Sequence, residues 1–181
     1  MISQKLQEAI NVQIAAEMWS SNLYLSMSFY FKKLGYDGFA NWMRKQSQEE
    51  LEHAYDLADY VSKRGGVAKV DKIDVVPQEW ESVLDAFENV YKHECHVSSL
   101  IDELVNVASS EKDKASQDFL WGYVREQVCN TAVLVHLQEK VVVDCLYLVF
   151  LADIATEQSC IEVRGGLVLV ITIGFFSSAN F

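Results

Sequence analysis

The sequence predicts an all-α protein, an antiparallel four-helix bundle with one long crossover between the second and third helices. Three observations carry this. A single proline and eight glycines in 181 residues leave little material for the turns of a β-sandwich. Apolar residues recur at helical spacing through the first two thirds of the chain, in segments longer than ordinary globular helices, and four-helix bundles or coiled coils are the usual outcome. The breaks between segments are short, except for one near residues 66 to 78. Short links favour antiparallel neighbours, and the long one lets the second and third helices run parallel.

The first segment runs from Gln4 to Leu34, with Ser3 as its N-cap. "KKLGYDGF" interrupts it, and Asp37 is the expected cap of the next, which spans Gly38 to Lys63 and stops at "RGG". Pro77 is expected to open the third helix, with Glu79 and Glu81 near the positive end of its dipole. Its predicted inward stripe is Leu84, Phe87, Tyr91, Glu94, Ser98, Ile101, Val105 and Ala108. "SSEKDKAS" then leads to a fourth helix from about Asp113 that carries Phe119, Tyr123, Glu126 and Gln127. The bundle domain is assigned to residues 1–145 and a separate C-terminal segment to 146–181.

That last third differs in kind. Of the chain's 41 charged residues only seven follow Gln127, and "VVVDCLYLVFLA" and "LVLVITIGFF" have strand-like composition. Neither reaches the eighteen or so apolar residues that span a bilayer, so no membrane segment is expected. The start, "MISQKLQEAINVQ", lacks a basic end followed by an apolar run, so a cytoplasmic protein with reduced thiols is expected. Cys95, Cys129, Cys145 and Cys160 show no CxxC spacing. A net charge of -11 argues against nucleic acid as a partner and suits a surface that attracts cations.

Chemistry enters where polar groups interrupt apolar stripes near mid-helix. Glu17 is flanked by Ile10, Ile14, Tyr24 and Phe31; Glu50 and His53, as Glu-x-x-His, lie in line with Met43, Leu57 and Tyr60; Glu94 interrupts the third stripe. A carboxylate in a core is costly unless it is paired or holds a metal, and carboxylates converging on one level repel one another. Iron between them removes that cost, and carboxylate with imidazole suits it. Each residue alone also has an ordinary explanation, as a solvent-facing glutamate or a chance spacing. The residues by themselves leave both readings open.

The stretches "EMWSSNLYLSMS", "QEELEHAYDLADYV", "YKHECHVSSLIDEL" and "FLWGYVREQ" resemble those of the bacterial non-haem ferritins, over about residues 1–127. The resemblance implies a ferritin-like subunit in a 24-subunit shell of octahedral symmetry. It further implies that ferrous iron is oxidised by dioxygen or peroxide at an intrasubunit di-iron centre and stored as mineral. It assigns Glu17, Glu50 and His53 to the first iron with Glu50 bridging, Glu94 to the second, and Gln127 beside the second. Glu49 and Glu126 match a third, weaker iron position, and Tyr24 matches a tyrosine that bonds a ligand carboxylate or donates an electron. His93, one residue off that face, is expected at the surface or an interface. No haem is implied, since Leu51 stands where bacterioferritins have a methionine.

After "EQ" the resemblance fades. Cys129 and Asn130 stand where the family has glutamates of the third and second iron positions, which implies a weakened second site. Downstream, the short fifth helix of the family is replaced by a hydrophobic stretch, an abrupt change of the kind a shifted reading frame produces. Two other functions therefore stay in view: a shell subunit that stores iron with impaired or absent ferroxidase activity, and a small di-iron peroxide-reducing oxidoreductase.

Overall fold

The computed structural model describes residues 1–143, with side chains described to residue 130. The proposed segment 146–181, Cys145 and Cys160 lie outside the described residues. The described residues form four helices: α1 (Gln4–Lys33), α2 (Asp37–Lys63), α3 (Val83–Ser110) and α4 (Lys114–Val143). Among the described residues there is no strand, and no helix is long and apolar enough to cross a membrane.

Helix ends follow from local chemistry. Ser3 accepts a hydrogen bond from the Leu6 N–H at 3.2 Å and caps α1 as expected. After α1, Gly35 adopts φ +82° and the Tyr36 N–H reaches back to the Phe31 carbonyl at 3.0 Å. Gly65 (φ +75°), with Gly66 N–H on Val61, repeats this after α2. The α3–α4 corner uses the same closure, with Asp113 N–H on Ala108, but places Lys112 at φ 55° where glycine is the usual residue.

Two starts differ from the sequence expectation. Asp37 is the first residue of α2 rather than its cap, because its carboxylate pairs with Lys32 at 2.6 Å. Pro77 does not open α3: its carbonyl accepts from Ser26 Oγ at 2.6 Å, and the helix starts six residues later behind Ser82. Ser82 accepts from the Asp85 N–H at 3.0 Å while the Asp85 carboxylate accepts from the Glu81 N–H at 3.1 Å. This reciprocal cap outcompetes a proline start. Glu79 and Glu81 therefore lie outside α3. Its buried row is Ala86, Phe87, Val90, Glu94, Val97, Ile101, Leu104 and Ala108, so Leu84, Tyr91, Ser98 and Val105 flank the row instead of forming it.

The crossover is thereby longer than predicted, and it follows α1 from end to end. Gln7 and Asn11 hold Val67 and Lys69, while Ser26 and Tyr30 hold the carbonyls of Pro77 and Trp80. It returns the chain to the far end, so α2 and α3 run parallel. A charged contact marks that register: Arg64, just past α2, grips both Asp113 oxygens at 2.8 and 3.2 Å across the α3–α4 corner. The core is divided in two. One cluster, around Phe31, Phe39, Met43 and Phe87, fills the end where α1 meets α2. The other, around Leu6, Ile10, Leu57, Ile101 and Leu120, fills the opposite end. Between them lies a polar layer.

Candidate metal centre

Long amphipathic helices bring one polar residue each into that layer. Glu17 from α1, Glu50 from α2 and Glu94 from α3 are all at most 3% exposed. Gln127 from α4 and Tyr24 from α1 complete the walls and are buried as well. Glu17, Glu50 and His53 each offer a ligand atom within 4.8 Å of the others, and so do Glu49, His53 and Glu126.

Two of these carboxylates, Glu17 and Glu94, are held by one oxygen and open at the other. Gln13 Nε2 donates to Glu17 Oε1 at 2.8 Å, and the Tyr24 hydroxyl donates to Glu94 Oε1. The second oxygens, Glu17 Oε2 and Glu94 Oε2, are buried with no hydrogen-bond partner. Orphaned buried acceptors are rare because leaving one unpaired costs about 1–3 kcal/mol, and more when charged. Burial, reinforced by neighbouring Glu50, raises Glu17 to about 8 and Glu94 to about 7. Glu50 is thus the carboxylate that acts on both of the others. Burial and Glu94 also raise the Tyr24 phenol well above its usual range, so it stays a donor.

His53 links this set to the rim. Its Nδ1 lies 3.1 Å from Glu50 Oε2 and its Nε2 3.0 Å from Glu126 Oε1. Burial works against the charged ring, but the hydrogen bonds to Glu126 and Glu50 prevail and raise it to about 11. Glu126 is correspondingly lowered by its bond to His53. With both nitrogens protonated, His53 is a cation standing where a metal ion would share the same carboxylates. Exchanging that proton for a metal on Nδ1 leaves Nε2–H on Glu126, which orients the ring.

A sequence model of the ferritin-like domain family matches residues 7–141. The chain belongs to the ferritin family. It is 65% identical over 141 residues to the bacterial non-heme ferritin of Bacteroides fragilis (strain 638R), an alignment covering 78% of this chain and 89% of that protein. It is 35% identical over 127 residues to the probable bacterial non-heme ferritin-like protein of Haemophilus influenzae, covering 70% and 77%. The structure of an open pore ferritin from the archaeon Archaeoglobus fulgidus is similar, with a TM-score of 0.82 at 46% identity, covering 88% of this chain and 99% of that one. Iron storage is the business of the family, and the likeness extends beyond Gln127, since the family match and helix α4 both continue past residue 140.

For this ferritin chain, the residues singled out in the sequence fall into two neighbouring groups. Glu17, Glu50, His53, Glu94, Gln127 and Tyr24 lie in the buried layer, whereas Glu49 and Glu126 lie at its half-buried rim. Cys129 and Asn130 are half-buried on α4 just beyond Gln127. His93 differs from expectation: it is half-buried against α1, with Nε2 2.9 Å from Ser20 Oγ and its ring 5.3 Å from that of Trp19. Two supports have no place in the sequence reading. Gln13 orients Glu17, and Ser98 Oγ, which bonds the Glu94 carbonyl at 2.9 Å, lies 3.1 Å from Gln127 Oε1. Gln13 was discoverable, since it stands four residues before Glu17 on the same face; Ser98 meets Gln127 across helices and leaves no such signal.

The raised groups make the iron-free protein sensitive to pH. From about pH 4.5 the folded chain holds protons that the unfolded chain releases, on Glu94 up to about pH 7 and on Glu17 up to about pH 8, and above 6.5 the same holds for His53. A folded state that binds more protons loses stability as pH rises. Glu126, lowered instead, loses its contribution only below this window. The melting temperature of iron-free protein should therefore fall from pH 5 to pH 8, with a shallower slope in Glu17→Gln; a rise over that range would contradict these assignments.

Proposed function

We propose that this chain is a ferroxidase subunit of an iron-storing shell, oxidising ferrous iron at a paired centre built from the buried layer. Glu17, Glu50 and His53 hold the first ferrous ion, and Glu94 holds the second with Glu50 shared between them. Gln127 lies beside the second ion, while Glu49 and Glu126 receive a third, weaker one at the rim. The observation that carries this reading is the pair of orphaned oxygens, Glu17 Oε2 and Glu94 Oε2, on either side of Glu50 in charge terms. Two acceptors left unpaired in a buried layer fit cations as substrate better than any packing role.

The chemistry follows from placement. Each ferrous ion gives one electron, so two adjacent ions deliver two electrons to one dioxygen, which takes two protons and leaves as hydrogen peroxide. Loading the layer drives protons from Glu17, Glu94 and His53, because a divalent cation replaces them electrostatically. The Tyr24 hydroxyl fixes Glu94 through one oxygen and leaves the other for the ion. Ferric product then moves into the cavity of a shell, for which we propose 24 subunits. Replacing the shared carboxylate, Glu50→Ala, should slow stopped-flow ferrous oxidation at least tenfold, while Glu126→Ala slows it less; equal rates would count against the pairing.

Asn130 favours one second reading, a storage subunit whose second site is too weak to complete the pair. A neutral amide one turn beyond Gln127 contributes no charge where the family resemblance implies a carboxylate. Anaerobic ferrous titration separates the two functions. Two tight ions per chain, with proton release that grows as pH falls from 8 to 6.5, support the ferroxidase; a single tight ion supports the passive container.

A further inference from the structure

Outside the polar layer, α1, α3 and the crossover enclose a cleft of about 570 Å³ whose lining includes Trp19, Ser20, Trp80, Lys92, His93 and His96. His93 and His96 are three residues apart on α3, the spacing that places side chains on one helical face. The same spacing on α2 brings His53 Nδ1 to 3.1 Å from Glu50 Oε2. Two nitrogens each about 2.1 Å from one metal ion lie about 3 Å apart, so this spacing suits a shared ion.

The tautomer of His93 is set by its neighbour. Ser20 Oγ donates its own hydrogen to the Ala16 carbonyl at 3.0 Å, so toward His93 it accepts, and the ring nitrogen 2.9 Å away, Nε2, carries the hydrogen. Nδ1 is then the nitrogen with a free lone pair. A metal-binding histidine commonly has its other nitrogen held by a protein acceptor in this way. His96 is exposed. The cleft's lysines are partly offset: Lys72 pairs with Asp74 at 2.6 Å and Lys92 approaches Glu88 at 3.9 Å.

We propose that His93 and His96 form a two-imidazole binding site for a divalent transition-metal ion in the α1–α3 cleft, separate from the carboxylate layer. Borderline cations such as Ni²⁺, Zn²⁺ and Fe²⁺ are the class that imidazole pairs select. Tyr24 is the shared wall: its ring stands edge-on to His93, with centroids 6.1 Å apart, while its hydroxyl holds Glu94.

Ni²⁺ is a suitable probe because it does not change oxidation state here and quenches indole fluorescence at short range. Titrated into intact iron-free protein at pH 7.5, it should quench Trp19, whose ring lies 5.3 Å from His93, and calorimetry should count one more ion per chain in the wild type than in His96→Ala. His96→Ala should weaken this quenching site at least tenfold and leave ferrous oxidation unchanged. Cys95→Ser should keep it, as should the double variant Glu17→Gln/Glu50→Ala, which disables the carboxylate layer and separates this inference from the proposed ferroxidase. Undiminished quenching in His96→Ala, or its loss in Cys95→Ser or in the double variant, would overturn the site.

Discussion

Three carboxylates in one buried layer are the constraint around which this chain is built. Two unit charges 4 Å apart interact by about 4 kcal/mol at the effective dielectric of a protein. Glu17, Glu50 and Glu94 therefore cannot all stay charged in the layer without a compensating cation. The iron-free chain answers with protons on Glu17 and Glu94 and with the His53 cation between Glu50 and Glu126. Each of these is a substitute that a metal ion can displace. The layer is thus a local cost to stability, which the proposed binding of metal ions offsets.

Helix length follows from that cost. At about 1.5 Å per residue, helices of 27 to 30 residues extend about 40–45 Å, enough to carry an apolar cluster at each end and a polar layer between. The clusters around Phe31, Phe39 and Phe87 and around Ile10, Leu57 and Ile101 clamp the layer from both sides. Register then becomes critical, since slipping one helix by a turn would move its carboxylate into an apolar cluster. The Arg64–Asp113 contact and the crossover's bonds to Gln7, Asn11, Ser26 and Tyr30 tie the helix ends to one another at fixed heights.

Much of this was legible in sequence because it is periodic. Ile10, Ile14, Glu17, Tyr24 and Phe31 announce both the stripe and its interruption, and the Glu50–His53 spacing is local to one helix. The missed features depend on competition or on distant partners. Pro77 offers a plausible helix start, but Ser26 takes its carbonyl and Ser82 with Asp85 provides a better cap. His93 reads as a surface or interface residue by its position beside Glu94, and within the chain it is half-buried, with Nε2 against Ser20 of another helix. The half-turn error in the α3 stripe has the same origin, because α3 packs mainly against α4 and also against α1, and these distant partners settle which flank is covered.

The carboxylate layer as a cation-binding centre is most directly tested by anomalous diffraction at the iron edge, from crystals loaded with ferrous iron without oxygen. The account predicts two peaks inside the bundle, one contacting Glu17, Glu50 and His53 and one contacting Glu50 and Glu94. Iron confined to the rim at Glu49 and Glu126, with Glu17 and Glu94 still unliganded, would contradict it.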